Sequence, residues 1–188
     1  MKTFIIEHLE PKLWKWCEIE YKNISKLVGK ENVWFTNIKD NGRKLVSYGK
    51  VFGKSVRTMQ LKNSCILDPD AKETLTPEIA KNYEYFIFGG ILGDEKFNWS
   101  TRDELTKYMK NIPAFNLGNG QFSTDNAVLV TNEIIKGKEL GEIEFKDELE
   151  IKIKKGESII LPYRYPLING RAQISSELVR YLKKKKDF

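Results

Sequence analysis

Tyr85-Phe86-Ile87-Phe88-Gly89-Gly90-Ile91-Leu92-Gly93-Asp94 is the stretch that decides how this chain folds. Aromatic and aliphatic side chains crowd its first half, so residues 83–91 read as the strongest strand of the sequence. The strand runs directly into glycines, and a helix start follows, with Ser100 or Thr101 as cap for a helix over residues 103–110. The same order then recurs. Residues 113–117 read as a short strand ending at Gly118, and Ser123 or Thr124 caps a helix over residues 125–136 that Gly137 closes. Ala127, Val128, Val130 and Ile134 cover much of that helix, which predicts burial. Strand, glycine loop and helix in repeated succession predict an α/β fold: a mostly parallel sheet flanked by helices.

The flanking sequence extends this pattern. Residues 3–6 predict a short buried strand. Pro11 suits a first helical turn, and Leu13, Cys17, Tyr21, Ile24 and Val28 recur at helical spacing until Gly29. Residues 33–38 predict a strand, Asp40-Asn41-Gly42 a turn, and residues 44–48 a hairpin with the segment around 51–59. Residues 65–67 form a short apolar run stopped by Asp68-Pro69, and Thr76 caps a helix with Pro77 in its first turn. Strands near residues 149–153 and 158–161, a turn at Asn169-Gly170 and a helix from Ser175 or Ser176 through Tyr181 complete the reading. One domain over residues 1–188 is expected, with glycine loops within 85–137 and a basic tail at 183–188.

Composition narrows the chemistry. The 188 residues hold 40% hydrophobic and 12% aromatic side chains, which argues against disorder despite 31% charge. Folding a chain of this length buries about 70% of its surface, enough for a core without disulfides. Cys17 and Cys65 stand alone, with no Cys-x-x-Cys pair, and His8 is the single imidazole. A zinc site or His-rich centre is therefore not expected, and a Ser-His-Asp triad would depend wholly on His8. No run reaches the roughly 20 apolar residues that cross a bilayer, and Glu7 and Glu10 interrupt the apolar start. The expectation is a soluble cytoplasmic protein with reduced thiols.

The net charge of +6 is unevenly placed. Residues 1–60 carry 12 basic and 6 acidic side chains, residues 61–130 carry 7 and 10, and residues 131–188 carry 13 and 10. The basic ends, with Lys183, Lys184, Lys185 and Lys186 in the tail, suit nucleic acid or its surroundings, or form a solvated lysine face. The acidic middle contains both glycine loops.

Those loops are Phe88-Gly89-Gly90-Ile91-Leu92-Gly93-Asp94 and Asn116-Leu117-Gly118-Asn119-Gly120-Gln121-Phe122-Ser123-Thr124-Asp125-Asn126-Ala127-Val128. Neither is the Gly-x-Gly-x-x-Gly of a dinucleotide site, and no Walker A motif is present. At the carboxyl edge of a parallel sheet, glycine lets backbone amides approach a ligand. From the residues alone, a small-ligand site and plain structural turns both remain open.

Taken in order, Ile5-Ile6-Glu7-His8-Leu9-Glu10, the segment from Phe86 to Asp94, the segment from Asn116 to Val128, and Leu161-Pro162-Tyr163-Arg164-Tyr165 resemble an archaeal and eukaryotic family of SPOUT-class methyltransferases. Its fungal members methylate an arginine of a small-subunit ribosomal protein, and archaeal members are often described as RNA methyltransferases. The resemblance covers nearly the whole chain. It implies a trefoil knot and S-adenosylmethionine bound in the knot loops. By this resemblance Gly89, Gly90, Ile91, Leu92, Gly93 and Asp94 form one wall of the cofactor site, Leu117 and Gly118 pass beneath the adenine, and Gln121, Ser123, Thr124, Asn126 and Ala127 close it. The pattern departs at Phe115, where the family often has Arg, at Thr101-Arg102, where the order is usually reversed, and at Phe122, where Met is common.

Methyl transfer from a sulfonium is a displacement that needs positioning and electrostatics but no metal. An arginine acceptor starts as a cation, and removing its proton in full near pH 7 would cost about 8 kcal/mol. A carboxylate that grips the guanidinium and accepts the proton late meets that demand better. Glu7 and Asp94 are the expected catalytic carboxylates; Glu10, Trp99 and Arg102 are expected on the substrate side. Asp125 suits the helix N-terminus, where its charge complements the dipole. The expected function is a methyltransferase whose acceptor is a protein arginine, on a ribosomal protein, or alternatively an RNA nucleotide. A non-catalytic RNA-binding module using the basic ends is the reading from another class. No metal and no membrane partner are expected, and the chain would act as a monomer or homodimer.

Overall fold

The computed structural model describes residues 2–39, 42–92, 100–154 and 156–184. In chain order its first half contains β1 (Thr3–His8), α1 (Lys15–Val28), β2 (Val33–Thr36), β3 (Lys50–Val51), β4 (Ser64–Leu67), β5 (Glu73–Thr74), α2 (Pro77–Lys81) and β6 (Tyr85–Gly90). The second half contains α3 (Thr101–Glu104), β7 (Ala114–Asn116), α4 (Thr124–Ile135), β8 (Phe145–Lys154), β9 (Glu157–Ile168), β10 (Arg171–Ala172) and α5 (Ser176–Lys184). Seven strands make one sheet in the order β3-β2-β1-β6-β4-β7-β5, with every described pairing parallel.

The central strands are apolar on both faces, as parallel strands covered by helices must be. Alternation along β1 sends Phe4 and Ile6 to one side and Ile5 to the other. Phe4 and Ile6 join Phe86, Phe88, Cys65 and Leu67 in a core covered by Tyr21 and Ile24 of α1 and Val128 and Ile134 of α4. Ile5, Ile66 and Ile87 meet Val56 and Leu105 on the opposite face. The expected fold class, a mostly parallel sheet flanked by helices, is the one observed.

Several local expectations change. The hairpin expected across residues 44–59 does not form. Gly42–Leu45 is a short 3-10 turn, and β3 runs parallel to β2 instead. Leu45 is fully buried, so the chain turns inward where a hairpin strand would have to stay on the sheet. Helix α1 starts at Lys15 with Trp14 as its cap, leaving Pro11 outside. Helix α3 stops after one turn: Leu105 leaves helical geometry, at φ −134°, with its side chain fully buried between the sheet and Val56. The strands expected at 149–153 and 158–161 are longer, forming the antiparallel pair β8–β9. The register shifts between Asp147 and Leu149, and this bulge, with Glu148 at φ 71°, lies where Pro162 would interrupt a regular ladder. The Asp40-Asn41 part of the expected turn lies outside the described residues.

Candidate active site

Three strand ends and two helix starts converge on a cavity of about 530 Å³. The chain leaving β4 supplies Leu67, Asp68, Pro69, Asp70 and Ala71; the end of β6 supplies Phe88, Gly89 and Ile91; the chain leaving β7 supplies Leu117 through Phe122. Thr124 and Ala127 of α4 and Ser100 and Thr101 at the start of α3 complete the lining. The volume falls within the roughly 300–1,000 Å³ typical of small-molecule sites. The position, beyond the carboxyl ends of parallel strands, is where open α/β sheets bind ligands. Among the described lining residues the only charged side chains are Asp68 and Asp70.

The loop after β7 is held from two directions. Asn116 accepts hydrogen bonds on Oδ1 from the Gly118 amide and the Thr74 hydroxyl, both 2.8 Å, while its Nδ2 donates to the Ala71 carbonyl at 2.8 Å. From β9, Arg164 donates from Nη1 to the Asn119 carbonyl at 2.6 Å and from its backbone amide to the Gln121 carbonyl at 2.8 Å. Its guanidinium lies 4.3 Å from the centre of the Phe145 ring, with Nε 3.0 Å from Asp147. Gly118 and Gly120 have φ of +81° and +99°, and a Cβ on Gly120 would stand 3.1 Å from Arg164 Cδ. Only glycine meets both that backbone and that contact without strain.

Beneath the start of α4 lies a buried polar network. Asp125 accepts hydrogen bonds from Ser123 Oγ at 2.7 Å, Asn23 Nδ2 at 2.8 Å and the Asn126 amide at 3.0 Å. Asn126 Nδ2 donates to Ser123 Oγ at 3.0 Å, and Trp16 Nε1 donates to Glu20 at 2.7 Å. Burial, and then the nearby charge of Asp125, push the Glu20 carboxyl well above its ordinary value. Burial also raises Asp125, against the donors around it. Two carboxyls so close and so buried retain a proton that water-exposed ones would lose.

The expected site residues separate in the structure. Gly89, Ile91, Leu117, Gly118, Gln121, Thr124 and Ala127 line the cavity together. Gly90, Leu92, Ser123 and Asn126 do not. Gly90 packs toward α1, where a Cβ would meet Tyr21 Oη at 2.4 Å. Ser123 and Asn126 belong to the network under α4. Glu7 is fully buried away from the lining: it accepts from Thr36 Oγ1, Ser55 Oγ and the Val56 amide, the last at 2.9 Å. Glu10 accepts from the Leu92 amide at 2.8 Å and so holds the chain leaving β6. Arg102 sits at the rim against Asp68 and Asp70, with its Nε 3.9 Å from each carboxylate. Gly93, Asp94 and Trp99 lie outside the described residues. His8 shares a 2.8 Å hydrogen bond with Tyr21, and burial drives its pKa down to about 4, so its ring is neutral near pH 7.

Sequence reasoning missed the wall after β4. Asp68-Pro69 reads in the sequence only as the stop of a short apolar run, and the pairing of β4 between β6 and β7 is what carries it to the cavity.

Residues 3–187 match the family described as SFM1-like protein arginine N-methyltransferases. This chain belongs to that family. A relative from Saccharomyces cerevisiae, the protein arginine N-methyltransferase SFM1, is 33% identical over 182 residues, covering 87% of this chain and 85% of the relative. The crystal structure of the yeast enzyme with S-adenosylmethionine superimposes with a TM-score of 0.87 at 30% identity, covering 97% of this chain and 90% of that one. The complex with S-adenosylhomocysteine gives 0.86 at 31%, covering 97% and 94%. Outside the family, Trm10 of Thermococcus kodakaraensis matches with a TM-score of 0.58 at 14% identity over 76% of this chain and 96% of its own. That likeness concerns the fold alone, which is the SPOUT fold that the sequence resemblance implied. The family's solved structures were thus obtained with S-adenosylmethionine and S-adenosylhomocysteine, and this chain is a homologue of an S-adenosylmethionine-dependent protein arginine methyltransferase.

Proposed function

We propose that this chain transfers a methyl group from S-adenosylmethionine to an arginine side chain of a protein. The observation that carries the choice of acceptor is the charge of the cavity, whose only charged described lining residues are Asp68 and Asp70. A negative cavity favours a sulfonium and a guanidinium together and disfavours a phosphate backbone.

The residues present fit the cofactor. Gly118 and Gly120 keep the loop backbone close to the cavity, and Leu67, Leu117 and Ala127 give apolar surface to a purine. In this reading Gly89, Ile91, Leu117, Gly118, Gln121, Thr124 and Ala127 hold the cofactor directly. Gly90, Leu92, Ser123 and Asn126 hold the loops that carry them. Bound S-adenosylmethionine supplies an electrophilic methyl whose bond to sulfur breaks as a bond to a guanidinium nitrogen forms, with loss of a proton from that nitrogen. The chain's part is to orient the acceptor and take up the proton. Asp94 is assigned the proton, Glu10 and Trp99 the acceptor side, and Arg102 the mouth through which the acceptor enters. Glu7, whose oxygens are engaged, holds the segment at 55–56 in place instead.

The same reading includes the trefoil knot implied by the resemblance, supported by the strand order and the likeness to the family's solved structures. It takes the acceptor to be a ribosomal protein, supported by the basic tail, and the setting to be the cytoplasm, supported by two buried unpaired cysteines. Incubating the protein with radiolabelled methyl donor and an extract lacking this activity tests it. Label removed by protease is the expected result. Label removed by nuclease would replace the acceptor with RNA, and failure to bind S-adenosylhomocysteine by calorimetry would overturn the methyltransferase reading. Asp94→Ala should abolish transfer while leaving the fold intact.

A further inference from the structure

Asp68 is the first residue beyond β4. Its backbone amide donates to the Phe115 carbonyl at 3.0 Å, and its Oδ1 accepts from the Asp70 amide at 2.9 Å. The residue is 1% exposed, yet it lines the cavity. Its second oxygen, Oδ2, is buried and has no hydrogen-bond partner among the described residues. A buried carboxylate oxygen with nothing to accept is costly in a folded chain.

Among the described residues a guanidinium comes within ion-pair distance of that oxygen. Arg102, half exposed, holds Nε 3.9 Å from Asp68 Oδ2 and 3.9 Å from Asp70 Oδ2, and its Nη2 donates to the Asp70 carbonyl. The 3.9 Å separation is ion-pair contact, short of a hydrogen bond. A guanidinium thus rests at the mouth of the cavity without completing the bidentate grip that carboxylates and guanidinium groups favour.

We propose that Asp68 receives the guanidinium of the acceptor arginine, in the place that Arg102 takes when no acceptor is bound. Arg102 is then an internal stand-in: it neutralises the acidic mouth in the free enzyme and swings into solvent when an acceptor completes the contact with Oδ2. The inference rests on the methyltransferase reading above and adds to it the residue that recognises the substrate cation.

The test uses the full chain saturated with S-adenosylhomocysteine, titrated with N-acetyl-arginine amide and with its neutral isostere N-acetyl-citrulline amide. The wild type should bind the arginine probe at least about tenfold more tightly than citrulline, because the site is built for a charge the isostere lacks. Asp68→Asn keeps an Oδ1 acceptor for the Asp70 amide and removes the charge, and should bind both probes alike. Arg102→Gln should bind the arginine probe about threefold or more tightly than the wild type, since no competing side chain must leave. Affinity for S-adenosylhomocysteine should be unchanged in both variants. Retained preference for arginine in Asp68→Asn would overturn the proposal, as would unchanged or weaker arginine binding in Arg102→Gln. An equal loss of S-adenosylhomocysteine affinity in Asp68→Asn would assign Asp68 to the cofactor instead. If Asp68→Asn does not fold, Arg102→Gln decides alone. A wild type that fails to bind S-adenosylhomocysteine defeats the methyltransferase reading. One that binds it without preferring arginine defeats only the present inference.

Discussion

Two pairs of carboxylates stand beside the cavity, and the chain treats them in opposite ways. Glu20 and Asp125 lie beneath the first turn of α4, both buried and served by neutral donors from Trp16, Asn23 and Ser123. Asp68 and Asp70 lie at the rim of the cavity, where Arg102 answers them at ion-pair distance. The inner pair has its donors in place and keeps a proton. The outer pair faces a cation and leaves Asp68 Oδ2 without a hydrogen bond among the described residues. Both pairs are carboxylic acids; what differs is whether the surrounding donors finish the job. A finished carboxylate holds the scaffold, and an unfinished one is free to hold a ligand.

This contrast can be broken most forcefully from the inside. Asp125→Ala strands the side chains of Asn23 and Ser123 and should cost about 2–4 kcal/mol in urea unfolding, with weaker S-adenosylhomocysteine binding as α4 shifts. A loss below about 1 kcal/mol would mean the inner pair is not a structural anchor. The loop from Phe115, bonded to Asp68, to Asp125 links the two pairs. Gly120→Ala in that loop meets a φ of +99° and the Arg164 side chain, and should cost about 1–3 kcal/mol. It should also weaken cofactor binding, while the same substitution at Gly141, where a Cβ meets nothing within 4 Å, serves as the control.

The proton held by the inner pair gives a pH test. Glu20 titrates well above its ordinary 4.5 in the folded chain because of burial and then Asp125. A carboxyl raised in this way adds stability below its ordinary pKa, and that stability is lost as pH rises toward the folded value. Wild-type Tm should therefore fall as pH climbs from 4.5, and Glu20→Gln, neutral throughout, should flatten the decline. A variant with the wild-type slope would show that the proton is held elsewhere. The smallest effect is expected at the rim. Arg102→Gln should change stability by less than about 1 kcal/mol, because its side chain is half exposed and its ion pairs are screened. A larger loss would make Arg102 part of the scaffold.

Much of this was legible in the sequence. The apolar runs in β1, β4 and β6, and the glycines that end β6 and β7, place both loops at one sheet edge once the strands are taken as parallel. Seven of the expected cofactor residues do line the cavity. The residues that the structure places elsewhere were harder for a physical reason. Gly90 and Gly89 are neighbours in one motif, but side-chain directions alternate along a strand, so one faces α1 and the other the cavity. Glu7 looks available after a strand read as residues 3–6, yet β1 continues to His8 and buries it among donors from residues 36, 55 and 56. Asp68 gave no local sign of function, because its neighbours Phe115 and Arg102 are distant in sequence.

By itself the sequence determined the α/β class, the parallel central strands, the two glycine loops and the family, since each depends on short-range pattern or on motif identity. Only the tertiary structure decided which carboxylates are scaffold and which face the cavity. That distinction turns on donors contributed by strands and helices far apart in the chain, and on the burial that the strand order β1-β6-β4-β7 imposes. Charge written in a sequence has no environment, and the environment determines whether it is neutralised, satisfied or left open to a substrate.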